Sequence, residues 1–258
     1  MTVTNERRVL VHSDKLALAG SVAARFITKT VDILDDLGEA NVVLTGGSVG
    51  IAVLEAINAS SARDSIDWSK VNFWWGDERW LPRADSERNE LHARAALLDH
   101  IAVPAENVHP FAASDDGITL EDAALAYAAE LAEAAPSGAA FPRFDITFLG
   151  VGADGHIASL FPHLGGIRET ELSVVAVTNS PKPPAERLSL TRPALNSSDR
   201  VWLVLAGADK ASALGLALAG ASRDEVPVAG IKGRRRTVFF VDGAAAAEVP
   251  SNLIAPSY

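Results

Sequence analysis

Hydrophobic positions along this chain fall into two rhythms. Short apolar runs of five or six residues alternate with longer stretches where apolar side chains recur every third or fourth position, the patterns of buried strands and amphipathic helices. Residues 8–12 read as a first strand. Ser13 or Asp14 then caps a helix whose stripe runs through Leu16, Ala19, Ala23, Phe26, Ile27, Thr30, Leu34 and Leu37, with Gly38 as its stop. Residues 41–45 form a second strand pattern, broken by Gly46-Gly47-Ser48 and followed by a helix through Ile51, Leu54 and Ile57. The run at 71–75 predicts a third strand, ending in Gly76-Asp77-Glu78-Arg79. Helices are expected over 86–100 and from Thr119, where Asp122 sits as a capping box requires. Further strands are predicted over 144–149, 173–178, 187–191, 201–206 and 237–241, with a helix from near Asp209 and little structure beyond Val249. Strands alternating with helices imply an α/β fold, a mostly parallel sheet flanked by helices on both faces. With no repeat, low-complexity tract or long linker, residues 1–258 read as a single domain.

Composition narrows the function classes. Of the 258 residues, 48% are hydrophobic, enough for a core without covalent staples. The absence of cysteine removes disulfides, thiolate zinc sites and cysteine nucleophiles. The first residues carry no apolar run of signal-peptide length, and no stretch approaches the ~20 apolar residues of a membrane span. A soluble, cytoplasmic protein is the expectation, with a monomer as the default. A net charge of −10 argues against a nucleic-acid surface, and any bound anion would need cations gathered locally. The one basic cluster, Lys232 with Arg234, Arg235 and Arg236, reads as a solvated turn before the last strand.

Candidate chemistry collects where strands end. In open α/β sheets ligands bind beyond the carboxyl ends of the strands. Four strands here run into suitable residues: Gly46-Gly47-Ser48, Asp77-Glu78-Arg79, Asp154 with His156, and Asp209-Lys210. The glycine turn before a helix offers free N–H groups and a helix dipole to a phosphate. Arg79 and Lys210 are cations such a phosphate would need. After the strand at 144–149, Gly150, Gly152 and Gly155 let the backbone approach a ligand, and His156 follows with a carboxylate two residues before it. That spacing points the two side chains apart on a regular helix. A direct pair therefore requires an irregular loop, or another carboxylate orients the imidazole. The same glycines match the dinucleotide fingerprint, yet no acid ends the next strand to hold a ribose, and a histidine crowds the loop. His92, His100, His109 and His163 are too scattered for a metal site, and no cofactor is expected. Trp74 and Trp75 alternate across a strand rather than stacking, and together with Trp80 they form no ladder.

Taken together, Thr45-Gly46-Gly47-Ser48, Trp75-Gly76-Asp77-Glu78-Arg79, the run from Leu149 through Asp154-Gly155-His156 to Pro162, and Arg187-Leu188-Ser189-Leu190-Thr191 resemble the 6-phosphogluconolactonase family. The likeness runs in order over nearly the whole chain. It implies a Rossmann-like sugar-phosphate isomerase architecture and hydrolysis of 6-phospho-D-glucono-1,5-lactone, a step of the oxidative pentose phosphate pathway, without a cofactor. The partner it implies is a small sugar-phosphate lactone, not nucleic acid or membrane. In that family the histidine of the Asp-Gly-His segment is the proposed general base, which falls on His156, with Asp154 orienting it or positioning water. Substrate-binding positions carry over to Gly46, Gly47, Ser48, Arg79 and Arg187. Asp77, Gly152 and Lys210 join them from the strand ends, and Asn89 stands for an asparagine that the family often places in a Ser-Asn-Tyr segment. Here that segment reads Ser86-Glu87-Arg88-Asn89-Glu90, a departure at the local sugar contacts. Sugar-phosphate isomerases and deaminases share the fold but carry an acid shortly after their histidine, where this chain has Phe161. A sugar-sensing transcription regulator would need a DNA-binding segment before the first strand, and none is evident.

Overall fold

The computed structural model describes residues 6–254. Seven parallel strands form the main sheet: β1 (Glu6–His12), β2 (Ala40–Leu44), β3 (Val71–Trp75), β5 (Val108–His109), β6 (Ile146–Gly150), β9 (Arg200–Leu205) and β10 (Arg236–Asp242). Their order is β1-β10-β9-β6-β2-β3-β5. A smaller antiparallel sheet holds β4 (Asp77–Arg79), β8 (Arg187–Leu190) and β7 (Val174–Val177), with β8 in the middle. The expected mostly parallel α/β sheet is present. The short strands β4 and β5, and the assignment of β7 and β8 to a second sheet, were not legible in the sequence pattern.

Helices α1 (Lys15–Leu37), α2 (Gly47–Ala59), α3 (Asn89–Ala96), α4 (Leu120–Glu133), α5 (Gly165–Arg168), α6 (Arg192–Asn196) and α7 (Ala211–Leu218) flank the strands. Asp14 caps α1 by accepting from the Ala17 amide at 2.8 Å, and Gly38 ends it at φ +81°, a conformation that costs glycine little. The buried face differs from the expected stripe at its ends: Leu16 and Leu37 are exposed, while Leu18 and Val22 are buried. Leu16 lies two residues, or about 200° of helix rotation, from Leu18, and so faces away from the sheet. Thr119 caps α4 through the Asp122 amide as the sequence predicts.

Both faces of the main sheet are covered. Trp74 and Trp75 are adjacent on β3, so their side chains leave opposite faces, and both are fully buried. Trp74 packs edge-on to Tyr127 of α4, while Phe73, on the other face, stacks with Trp68, which itself stacks on Phe26 of α1. From β2 the chain builds outward through β3 and β5, then returns to lay β6 against β2 and builds the other way through β9 and β10. The loops after β2 and β6 consequently diverge, which opens a crevice at this topological switch point. Of the tail, Ile254 forms a parallel bridge with Val9 of β1, and residues 255–258 lie outside the described residues.

Candidate active site

The crevice is a cleft of about 310 Å3 walled by the ends of β2 and β6 on one side and by the smaller sheet on the other. Its β2 side begins with Thr45, whose hydroxyl accepts from the Gly150 amide at 3.1 Å and ties the two strand ends together. Gly46 and Gly47 then open α2. A side chain on Gly46 would place its first carbon 2.0 Å from the Asn89 Oδ1, so the glycine is what lets Asn89 approach. Gly47 sits at φ +81°, a second reason for glycine at this turn. Ser48, expected among the binding groups, is exposed on the first turn of α2 and is absent from the cleft wall.

Asn89 is held from the other side by the Asp-Glu-Arg strand. Its Nδ2 donates to the Asp77 carbonyl at 2.9 Å and its amide to Glu78 Oε1 at 2.8 Å. Glu78 is 1% exposed and also accepts from the amides of Arg79 and Glu90. Burial pushes its carboxyl up, opposed by Arg88 and these amides. Asp77 accepts from the Ser159 hydroxyl at 2.7 Å and lies 4.0 Å from Arg187 Nη1. Arg79 faces the cleft while its Nη1 donates to the Glu87 carbonyl; its Nε is buried with no hydrogen-bond partner in the described residues.

The β6 side carries the histidine. After Gly150 the chain makes a tight, non-helical turn: Gly152 donates to the His156 carbonyl and Gly155 to that of Gly152, both at 2.9 Å. Because the loop is irregular, Asp154 and His156 meet directly despite their spacing, with Asp154 Oδ1 2.5 Å from His156 Nδ1. The pair closes over Gly152, where an added carbon would lie 1.9 Å from His156 Nδ1 and 2.5 Å from Asp154 Oδ1. Burial pushes the Asp154 carboxyl up, but the hydrogen bond and charge of His156, with Lys182 beyond, outweigh it and hold the group well below the usual carboxylate range. The imidazole stacks on Phe161 at 4.6 Å between centroids.

Arg187 reaches the cleft from β8 and donates from Nε and Nη2 to the carbonyls of Lys182, Pro183 and Pro184, at 3.0 to 3.2 Å. It thereby moulds the loop that brings Lys182 Nζ to 3.3 Å from His156 Nδ1. Burial lowers the Arg187 pKa, opposed by Asp77. Lys210, just past β9, faces the cleft and pairs with Asp209 at 2.8 Å. The structure thus brings Gly46, Gly47, Asp77, Arg79, Asn89, Gly152, His156, Arg187 and Lys210 to one cleft, with Asp154 behind the imidazole. Sequence reasoning missed Thr45, Ala158, Lys182 and Pro183 on its wall. The prolines around Lys182 signal a turn, but nothing local says where that turn docks. Among the described residues, no group of three or more His, Asp or Glu could hold a metal ion.

Comparison with known proteins follows the same lines. The family model for glucosamine-6-phosphate isomerases/6-phosphogluconolactonase matches residues 13–240. A 6-phosphogluconolactonase of Streptomyces coelicolor is 50% identical over 254 residues, covering 97% of each chain. One from Mycobacterium tuberculosis is 45% identical, covering 94% of this chain and 95% of its own. Among solved structures, the 6-phosphogluconolactonase of Thermotoga maritima superposes with a TM-score of 0.80 at 26% identity, over 92% of this chain and 100% of its own. The chain therefore belongs to the glucosamine-6-phosphate isomerase/6-phosphogluconolactonase family.

Proposed function

We propose that this protein hydrolyses 6-phospho-D-glucono-1,5-lactone to 6-phospho-D-gluconate, with His156 as the general base. The observation that carries the reading is the Asp154–His156 pair at the mouth of a cleft with four cations, Arg79, Lys182, Arg187 and Lys210, in its wall. A lactone carbonyl is already electrophilic, so the reaction asks for an activated water and a place for charge on oxygen. With Nδ1 engaged by Asp154, Nε2 takes the proton of the water attacking C1 and then returns it to the departing ring oxygen. Asp154 fixes the tautomer and steadies the imidazolium.

Three amides of the glycine loop are not free to hold the oxyanion. The amides of Gly150, Gly152 and Gly155 are already spent on Thr45, His156 and Gly152. Lys182 stands on the Nδ1 side of the imidazole, 3.3 Å from that nitrogen, so the charge on oxygen is met by the cations of the cleft wall. The phosphate lies at the start of α2, on Gly46 and Gly47, with Arg79 and Lys210 as counter-charges. An isomerase or deaminase reading lacks its proton carrier, since Phe161 is buried beneath the imidazole where an acid would stand.

The test generates the lactone in situ and follows its decay, subtracting spontaneous hydrolysis. His156→Ala is expected to lose about 10²- to 10⁴-fold in kcat with KM changed only a few-fold. Wild-type turnover in that variant removes His156 from the mechanism, and no acceleration by the wild type removes the lactonase reading altogether.

A further inference from the structure

A second hollow lies away from the cleft just described. A groove of about 450 Å3 lies between α1 and the face of β1, β10 and β9. Arg200 and Arg236 are the first residues of β9 and β10, so in a parallel sheet this groove opens at the end opposite the His156 cleft. Its walls carry Arg25, Lys29, Arg200 and Arg236, with Arg8 beside them, against one carboxylate among the described residues, Asp32, which Lys29 already engages. In a chain of net charge −10, Arg25, Arg200 and Arg236 around one hollow are a marked local excess.

The placement of these arginines has a cost. Arg200 and Arg236 are direct register partners on adjacent strands, about 4.8 Å apart along the sheet, and both line this face. Like charges so placed repel. Their neighbour Arg235 takes Asp199 at 3.3 Å, but among the described residues neither Arg200, Arg236 nor Arg25 has a carboxylate in ion-pair range. Burial, with Arg235 and Arg236 nearby, lowers the Arg200 pKa against the pull of Asp199 and Asp145. Arg25 projects from α1 with its guanidinium 5.9 Å above the Phe240 ring, presenting a flat cationic surface over an aromatic floor that Trp202 continues.

We propose that this groove is a second anion site, taking a small organic polyphosphate of nucleotide size with its phosphates on Arg200 and Arg236 and its ring beside Arg25. Guanidinium forks match phosphate oxygens two at a time, and their planes stack on aromatic rings. A hollow of this volume lies within the range of small-ligand sites. The assignment is independent of the lactonase reading, since it shares no residue with the His156 cleft.

Titration calorimetry with ATP and with inorganic tripolyphosphate tests it. The wild type is expected to bind one ATP per chain, and the double variant Arg200→Gln/Arg236→Gln to bind it at least tenfold more weakly. Lactone turnover of that variant without ligand should match the wild type, because both residues lie outside the reactive cleft. A second variant, Arg79→Gln/Lys210→Gln, controls for ATP entering the His156 cleft and should keep its ATP affinity. Should the groove variant fold poorly, Arg25→Gln on the exposed surface of α1 carries the test, with ATP weakened more than tripolyphosphate. No saturable binding of either probe, unchanged affinity in the groove variants, or loss confined to the Arg79/Lys210 variant overturns the proposal.

Discussion

At the scale of single residues, the pair of Asp154 and His156 depends on a side chain that is not there. Gly152 leaves the space in which the imidazole and carboxylate close, and any Cβ would stand inside both. Gly152→Ala is therefore expected to fold yet lose about 100-fold in lactone turnover, because His156 is displaced by an ångström or more. Near wild-type kcat in this variant would show that the pair tolerates another geometry. His156 was readable from the chain because it follows a buried strand and a glycine turn. Whether Asp154 meets it directly stayed open, because contact between residues two apart is decided by loop dihedrals that no periodicity reports. Ser48 shows the same limit from the other side. A hydroxyl beside a glycine pair looks like a phosphate ligand, but the first turn of α2 carries it outward.

Among the elements, the start of α3 is the instructive case. The apolar pattern placed it near residue 86, whereas the helix begins at Asn89 with no side-chain cap from Arg88. Glu78, eleven residues upstream on β4, accepts from the first two helical amides in its place. Such a cap comes from a strand of a different sheet, so local sequence signals could not reveal it. Removing it strands several donors at once: Glu78→Ala leaves the amides of Arg79, Asn89 and Glu90 unpaired and Arg88, 0% exposed, without one of its two carboxylate neighbours. The expected cost is about 3 kcal/mol, or roughly 10 °C in Tm, accompanied by a raised KM as Asn89 loosens. A thermal melt within about 2 °C of wild type would show that Glu78 does not hold this junction.

For the whole molecule, the cleft's position was the most legible feature. Parallel strands bring all their carboxyl ends to one edge, so polar residues after four separate strands had to converge somewhere along it. What remained hidden was the smaller sheet that walls the cleft, since three short strands in an antiparallel set leave the same apolar pattern as strands of the main sheet. Acid response belongs to this scale as well. The Asp154 pKa is depressed in the folded chain, so its contribution to stability is complete above the unfolded value of about 3.9 and is lost as pH falls toward and through the lower folded value. The Tm of Asp154→Asn should accordingly drop less than that of the wild type between about pH 5 and pH 3. Parallel declines would mean that the pair adds nothing to stability.

Gly76 joins the two sheets within one residue. Its amide donates to Leu44 of the main sheet at 2.9 Å, and its carbonyl accepts from Leu190 of the smaller one at 2.8 Å. The floor and the wall of the cleft are thus riveted at their seam, and this point offers no hinge about which one could swing over the other. In kinetic terms, a cleft fixed at this seam is expected to stand formed before substrate arrives, with no jaw closing there.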